Sequence, residues 1–190
     1  RSDPRNFLFF PRTPEGRKAA SDYFGRLKER RDNRDKKISL QAGVAQVKAI
    51  RHAGQSQPDD LSVIAQPVFV ANGDHDLMVD SAHSADMARR LPNAQLKIYP
   101  NSGHGGVFQH HEALVPECIP PNQEITMPTD SARPDDVITA YSKSPARTVS
   151  AGGVTYAYRE LGPKGGVPVV FFVHLAATLD NWDPRIIDPI

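Results

Sequence analysis

Two short stretches hold the residue types that chemistry needs. "NGDHDLMV", Asn72 to Val79, follows the apolar run Pro67-Val68-Phe69-Val70-Ala71 and places Asp74, His75 and Asp76 directly after Gly73. "YPNSGHGG" begins at Tyr99, the end of the run Ala94-Gln95-Leu96-Lys97-Ile98-Tyr99, and sets His104 between glycines. A third run, Val167 to Val173, ends at His174-Leu175-Ala176-Ala177. An acid, a histidine and a pair of backbone N–H groups are the parts of an acyl-transfer site. The histidine moves protons, the acid fixes its tautomer and stabilises the imidazolium, and the N–H groups hold an oxyanion.

Each residue also has a plainer reading. Asp74 and Asp76 follow a strand and serve equally as turn residues or a helix cap. His75 is expected on the surface. His104 makes a poor core residue, because glycine neighbours impose no packing. His174 at a strand end is as readily structural as functional. His110 and His111 point different ways on a helix and lack a partner at metal spacing, so no metal site is expected. Cys118 stands near Pro116 and Pro120, with no strand–turn–helix elbow to present it as a nucleophile. Asp180 and Trp182 read as structural.

The elements that must position these loops are legible in part. Thr13 caps a helix that begins at Pro14, with Ala19, Ala20, Tyr23, Phe24 and Leu27 as its apolar stripe. Residues 28–37 are almost all charged or amide and read as a solvated connection. Ser39 caps a second helix with Leu40, Val44, Val47 and Ile50 on one face, Gly54 as its stop, and cap packing as the use of that face. Residues 67–72 read as a buried strand. Ser81 to Leu91 reads as a helix with Ala82, Ala85, Ala88 and Leu91 inward, and residues 94–99 as a second strand. Strand, helix, strand with short loops makes a βαβ unit and a parallel sheet. A short helix follows from about His111 to Cys118. Residues 119–146, rich in proline and polar residues, read as a linker, inside which Met127 looks like a protein's first residue. Residues 147–151 and 154–161, joined by Gly152-Gly153, read as a hairpin. Val167 to Val173 reads as a buried strand.

Composition narrows the classes. The chain has 190 residues and a formal charge of +1. That length suits one domain with a real core, and no basic block with interleaved aromatics suggests nucleic acid. A single cysteine forbids an internal disulfide and makes a reducing, cytoplasmic setting the default. The longest apolar run, Val167 to Ala177, is too short to span a bilayer, and residues 1–6 do not read as a signal peptide. No cofactor is expected.

The order strand–GDHD–helix–strand–SGHGG resembles the C-terminal third of an α/β-hydrolase. The resemblance implies that Asp76 is the catalytic acid and His104 the base. It makes residues 1–60 similar to the family's helical cap region and 61–118 to the end of its core. "VVFFVHLAATLDNW" resembles the family's third strand and oxyanion loop, in a form close to an esterase-like and perhydrolase-like branch. That places residues 147–190 at the beginning of the core and makes Ala176, with Leu175 in place of the usual glycine, the oxyanion donors.

Two departures from the family stand out. The segments are permuted, with the family's end before its beginning. The middle is absent: the nucleophile of Gly-x-Ser-x-Gly has no counterpart, since the only glycines four apart, Gly162 and Gly166, flank Lys164. By resemblance the chain holds strands 1, 2, 3, 7 and 8 of the family's eight, so its sheet would have gaps and unpaired edges that invite another chain. A second polypeptide supplying the middle, a permuted piece of a whole enzyme, and self-association are the three ways to complete it.

The expected fold class is therefore α/β, an incomplete α/β-hydrolase-type, mostly parallel sheet with a helical cap segment. The expected function is the acid, histidine and oxyanion loop of a serine-hydrolase site for a small acyl substrate of ester type, with peroxide chemistry as a branch. The nucleophile is absent and the isolated chain inactive. The alternative is a non-catalytic fragment that complements another hydrolase chain. Neither nucleic acid nor membrane is an expected partner.

Overall fold

The computed structural model describes residues 3–118, 138–162, 170–171 and 177–190. They fall into two compact units: Arg1–Gly25 with Gln57–Ile119, and Arg26–Ser56 with Pro120–Ile190.

The first unit is built on a parallel pair of strands. β1 (Val68–Gly73) and β2 (Ala94–Tyr99) run in register from Val68 opposite Ala94 to Gly73 opposite Tyr99. Parallel neighbours need a crossover, and the helix that supplies it spans Ser81–Arg90. Asp80 starts that helix by accepting the Ala82 N–H at 2.9 Å. Its half-buried side is Ser81, Ser84, Ala85 and Ala88, with Leu91 buried just beyond. Ala82, expected inward, is exposed, because it lies about 100° around the helix from Ser81 and so off that stripe.

The N-terminal segment makes the rest of this unit's core. Helix α1 is Arg5–Leu8 and α2 is Pro14–Arg26; Thr13 Oγ1 accepts the Gly16 N–H at 3.1 Å, the expected cap. α2 turns Gly16, Ala20 and Tyr23 inward. Tyr23 stacks on Phe108 with ring centres 4.7 Å apart, and Phe9 and Phe10 pack beside them. Such aromatic pairs add about 0.5–1.5 kcal/mol beyond area burial. With Ser81–Arg90 as α4, two further helices, α5 (Gly106–Gln109) and α6 (His111–Cys118), follow β2.

The second unit differs from expectation in three places. Residues 28–37 are not simply solvated. Arg30 is buried, and it donates to the carbonyls of Tyr141 (2.8 Å) and Ser144 (2.6 Å). Asp180 pairs with Arg159 at 2.8 Å, with Arg30 at 3.4 Å and with Arg34 at 3.5 Å, while Asp35 takes a second bond from Arg159 at 2.8 Å. Composition registers ten polar residues; only three dimensions show that opposite charges from distant segments neutralise each other.

Secondly, α3 (Leu40–Gln55) forms with Ser39 as its cap but has no buried residue. It runs past Gly54 to a Ser56 cap. Leu40, Val44, Val47 and Ile50 are all exposed, so cap packing is not what this face does among the described residues.

Thirdly, the hairpin forms as β3 (Arg147–Ala151) and β4 (Val154–Tyr158), shorter than expected, and every residue of it is exposed. Gly152 and Gly153 both take positive φ, 57° and 78°, as a tight two-residue turn requires. Tyr141 and Ser144, at the end of the stretch read as linker, are buried. A last short helix, α7, is Pro184–Ile187. The strand expected over 167–173 lies outside the described residues except Val170 and Phe171; Phe171 meets Trp182 edge-on at 5.0 Å.

Candidate active site

The site residues of the first unit sit where β1 and β2 end. β1 stops at Gly73 because the chain must pass the second loop closely: a Cβ there would lie 2.3 Å from the carbonyl oxygens of both Ser102 and Gly103. The two loops are then laced together. Asp74 N–H donates to Tyr99 O at 3.0 Å, His75 N–H to Ser102 O at 2.9 Å, and Ser102 N–H to Asp74 Oδ1 at 3.0 Å. A Gly73→Ala substitution drives a methyl group into backbone that cannot move aside. It is expected to cost about 3 kcal/mol or more, beyond ordinary overpacking, and a shift in the denaturation midpoint under a third of that would show that the loops are not this tightly apposed.

The lacing brings Asp76 to His104. Asp76 Oδ2 lies 2.8 Å from His104 Nδ1, with the carboxylate 1% exposed and the imidazole 24% exposed. Asp76 Oδ1 is used differently: it accepts the N–H groups of Met78 (2.7 Å) and Val79 (3.0 Å). One oxygen thus anchors the carboxylate to its own turn, and the other faces the histidine. An Nδ1–H donated to a carboxylate leaves Nε2 as the nitrogen that can take a proton, the arrangement a general base requires.

Asp74 and His75 form a second pair, 2.6 Å apart, on the surface. Burial by itself raises the Asp74 carboxyl, but the His75 ring and the backbone N–H groups of Ser102 and Asn101 outweigh it and hold the group below its usual value. A carboxyl depressed in the folded state contributes stability that is present above its unfolded value, about 4, and is lost as pH falls through the lower folded value. Acid titration of the denaturation midpoint is therefore expected to show a decline below about pH 4 that is shallower in Asp74→Asn. An unchanged slope in that variant would remove Asp74 as its source.

Behind the site, Ser102 is fully buried; its Oγ donates to Pro100 O at 2.8 Å and receives His110 Nε2 at 2.9 Å. His110 stacks flat on Tyr99, 4.9 Å away. Tyr99 donates to Glu117 at 2.8 Å, and burial first, then that carboxylate, pushes its phenol up. Glu117 also pairs with Lys97 at 2.5 Å. Cys118 is exposed as a residue, but partial desolvation of its thiol, then the charge of Glu117, raises it, the opposite of an activated nucleophile. His111 bonds the Phe108 carbonyl at 3.1 Å. Among the described residues no cluster of three His, Cys, Asp or Glu side chains could hold a metal ion, and no helix is long and apolar enough to cross a membrane. Leu175, Ala176 and His174 lie outside the described residues.

Residues 3–111 match a family model described as alpha/beta hydrolase fold. Nothing among the curated proteins matches. Among solved structures the chain is similar to an alpha/beta hydrolase fold protein from Chitinophaga pinensis, at 35% identity and a TM-score of 0.58, over 62% of this chain and 44% of that one. It therefore spans less than half the length of that protein. With more than half of its residues in the family match, and strand, crossover helix and strand in the order of that fold, the chain belongs to the alpha/beta-hydrolase family.

Proposed function

We propose that this chain carries the acid and the base of a serine-type acyl-transfer site for ester substrates, and that the nucleophile comes from polypeptide outside this sequence. The observation that carries the reading is the 2.8 Å contact between a carboxylate withdrawn from solvent, Asp76, and the part-exposed ring of His104. A buried acid oriented on Nδ1 has its use in stabilising an imidazolium that forms transiently. A nucleophile supplied from elsewhere is supported by the sequence, which holds no Gly-x-Ser-x-Gly.

In this reading the serine hydroxyl of the completing segment adds to the ester carbonyl while its proton passes to His104 Nε2. Asp76 stabilises the imidazolium through Nδ1–H. Backbone N–H groups, with those of Leu175 and Ala176 as the proposed donors, hold the oxyanion. Collapse expels the alcohol, which takes the proton from His104, and water then repeats the sequence on the acyl-enzyme. The permuted order, 147–190 supplying the family's beginning after its end, belongs to the same proposal. The lone cysteine fits a reducing cytoplasmic setting.

The test is labelling with a fluorophosphonate, followed by mass measurement under native and denaturing conditions. The pure chain is expected to stay unlabelled. A second chain bearing the Gly-x-Ser-x-Gly turn is expected to become labelled and to hydrolyse esters faster when mixed with this one. Stoichiometric labelling of one serine of this chain alone would overturn the proposal.

A further inference from the structure

The charge of orienting His104 is not met by Asp76 alone. Asp76 holds Nδ1 and so bears on the tautomer, while an aromatic neighbour bears on the plane of the ring. Phe9, 2% exposed, faces the His104 ring with centres 5.3 Å apart and planes at 59°. We infer that Phe9 is a positioning residue of the site, setting the plane of the His104 imidazole while Asp76 sets its tautomer. This rests on the reading of Asp76 and His104 as acid and base.

Three further observations point the same way. The backbone around Phe9 holds the loop as well as the ring: Leu8 O accepts the His104 N–H at 3.2 Å, and Phe9 O accepts the Gly105 N–H at 2.8 Å. The glycines flanking His104 are cut to this contact. A Cβ on Gly103 would stand 2.8 Å from Phe9 O and 2.9 Å from Leu8 O, and one on Gly105 would stand 2.8 Å from Phe9 Cβ. Phe9 is itself immobilised, with Tyr23 at 6.4 Å and Phe108 at 6.2 Å between ring centres. The Ser-Gly-His-Gly-Gly stretch is thus shaped to Phe9: its glycines let the Leu8–Phe9 segment approach the histidine loop closely.

An aromatic–aromatic contact of this geometry is worth enough to change the population of one ring orientation by about threefold to tenfold. The readout is the Nδ1–H proton of His104, followed by NMR in the full chain as it stands, with no completing partner and no assay of activity. In the unsubstituted protein the ring protons of His104 are expected to be shifted by the Phe9 ring current. Phe9→Leu, which keeps a buried hydrophobe but removes the ring, is expected to raise exchange of the Nδ1–H with water about threefold to tenfold. Phe24→Leu removes an aromatic one ring further out, packed edge-on against Tyr23 at 5.2 Å, and is expected to leave that exchange unchanged. Absence of the ring-current shift in the unsubstituted protein would overturn the inference even where Phe9→Leu does not fold. So would unchanged exchange in Phe9→Leu, or equal changes in both variants. None of these outcomes depends on whether a serine is ever supplied, so failure of the esterase reading and failure of the Phe9 inference are separate results.

Discussion

Asp76→Asn is expected to lower kcat/KM of the completed hydrolase by about 10⁴-fold while leaving the fold of this chain intact. The size follows from what the substitution does to the histidine. An amide in the place of Oδ2 presents N–H₂ to His104 Nδ1, so the imidazole takes the opposite tautomer and Nε2 no longer accepts the serine proton. A loss of that order is the general consequence of the same exchange in a serine triad. The fold survives because Asp76 divides its labour between two oxygens. Oδ1, which accepts the Met78 and Val79 N–H groups, remains an oxygen in asparagine. The measurement is ester hydrolysis by the mixed chains, with circular dichroism of the variant as the control. A loss below about tenfold would mean that the pair supports the loop and not the chemistry.

Asp180→Ala is expected to be the most destabilising single change in the second unit, by about 3–5 kcal/mol. Asp180 is 8% exposed, accepts the Asp35 N–H at 2.8 Å and balances Arg159, Arg30 and Arg34. Removing it leaves the buried guanidinium groups of Arg30 and Arg159 with Asp35 as the remaining carboxylate among the described residues. Burial already pulls the Arg30 guanidinium below its usual value, with the like charge of Arg159 adding to that, and Asp180 is the first group that opposes it. Breaking a buried ion pair costs more than the pair was worth, because the survivor keeps its desolvation cost without its partner. The chain's one tryptophan, Trp182, lies two residues away and makes its fluorescence the natural probe of denaturant unfolding. A destabilisation under about 1 kcal/mol would mean that water enters the cluster and screens it.

How much of this was legible beforehand varies by element. The β1–α4–β2 unit was, because hydrophobic periodicity and a breaker glycine both act over a few residues. The Asp76–His104 pairing came from a family resemblance and from the rule that strand ends carry chemistry. Its supports did not come at all. Taken as sequence, the run Asn6 to Phe10 is only a short apolar patch, and the glycines around His104 are only poor packing neighbours. Together they held the signal that something bulky approaches that loop. The connection at 28–37 was misread for a different reason: charge count cannot tell a solvated arginine from one neutralised by an aspartate 150 residues on.

The sequence by itself determined most of the local elements, the two loops that bear an acid and a histidine, and that no Gly-x-Ser-x-Gly pattern occurs in this chain. Those are properties of neighbours along the chain, where backbone sterics and side-chain period decide. Only the tertiary structure decided that Asp76 Oδ2 meets His104 Nδ1, that Phe9 stands against the ring, that Arg30 and Asp35 are drawn into the charge cluster around Asp180, and that α3 keeps its apolar face in solvent. Each of those depends on contacts between residues far apart in sequence, whose free energy comes from desolvation and shape at a site the chain must fold to create.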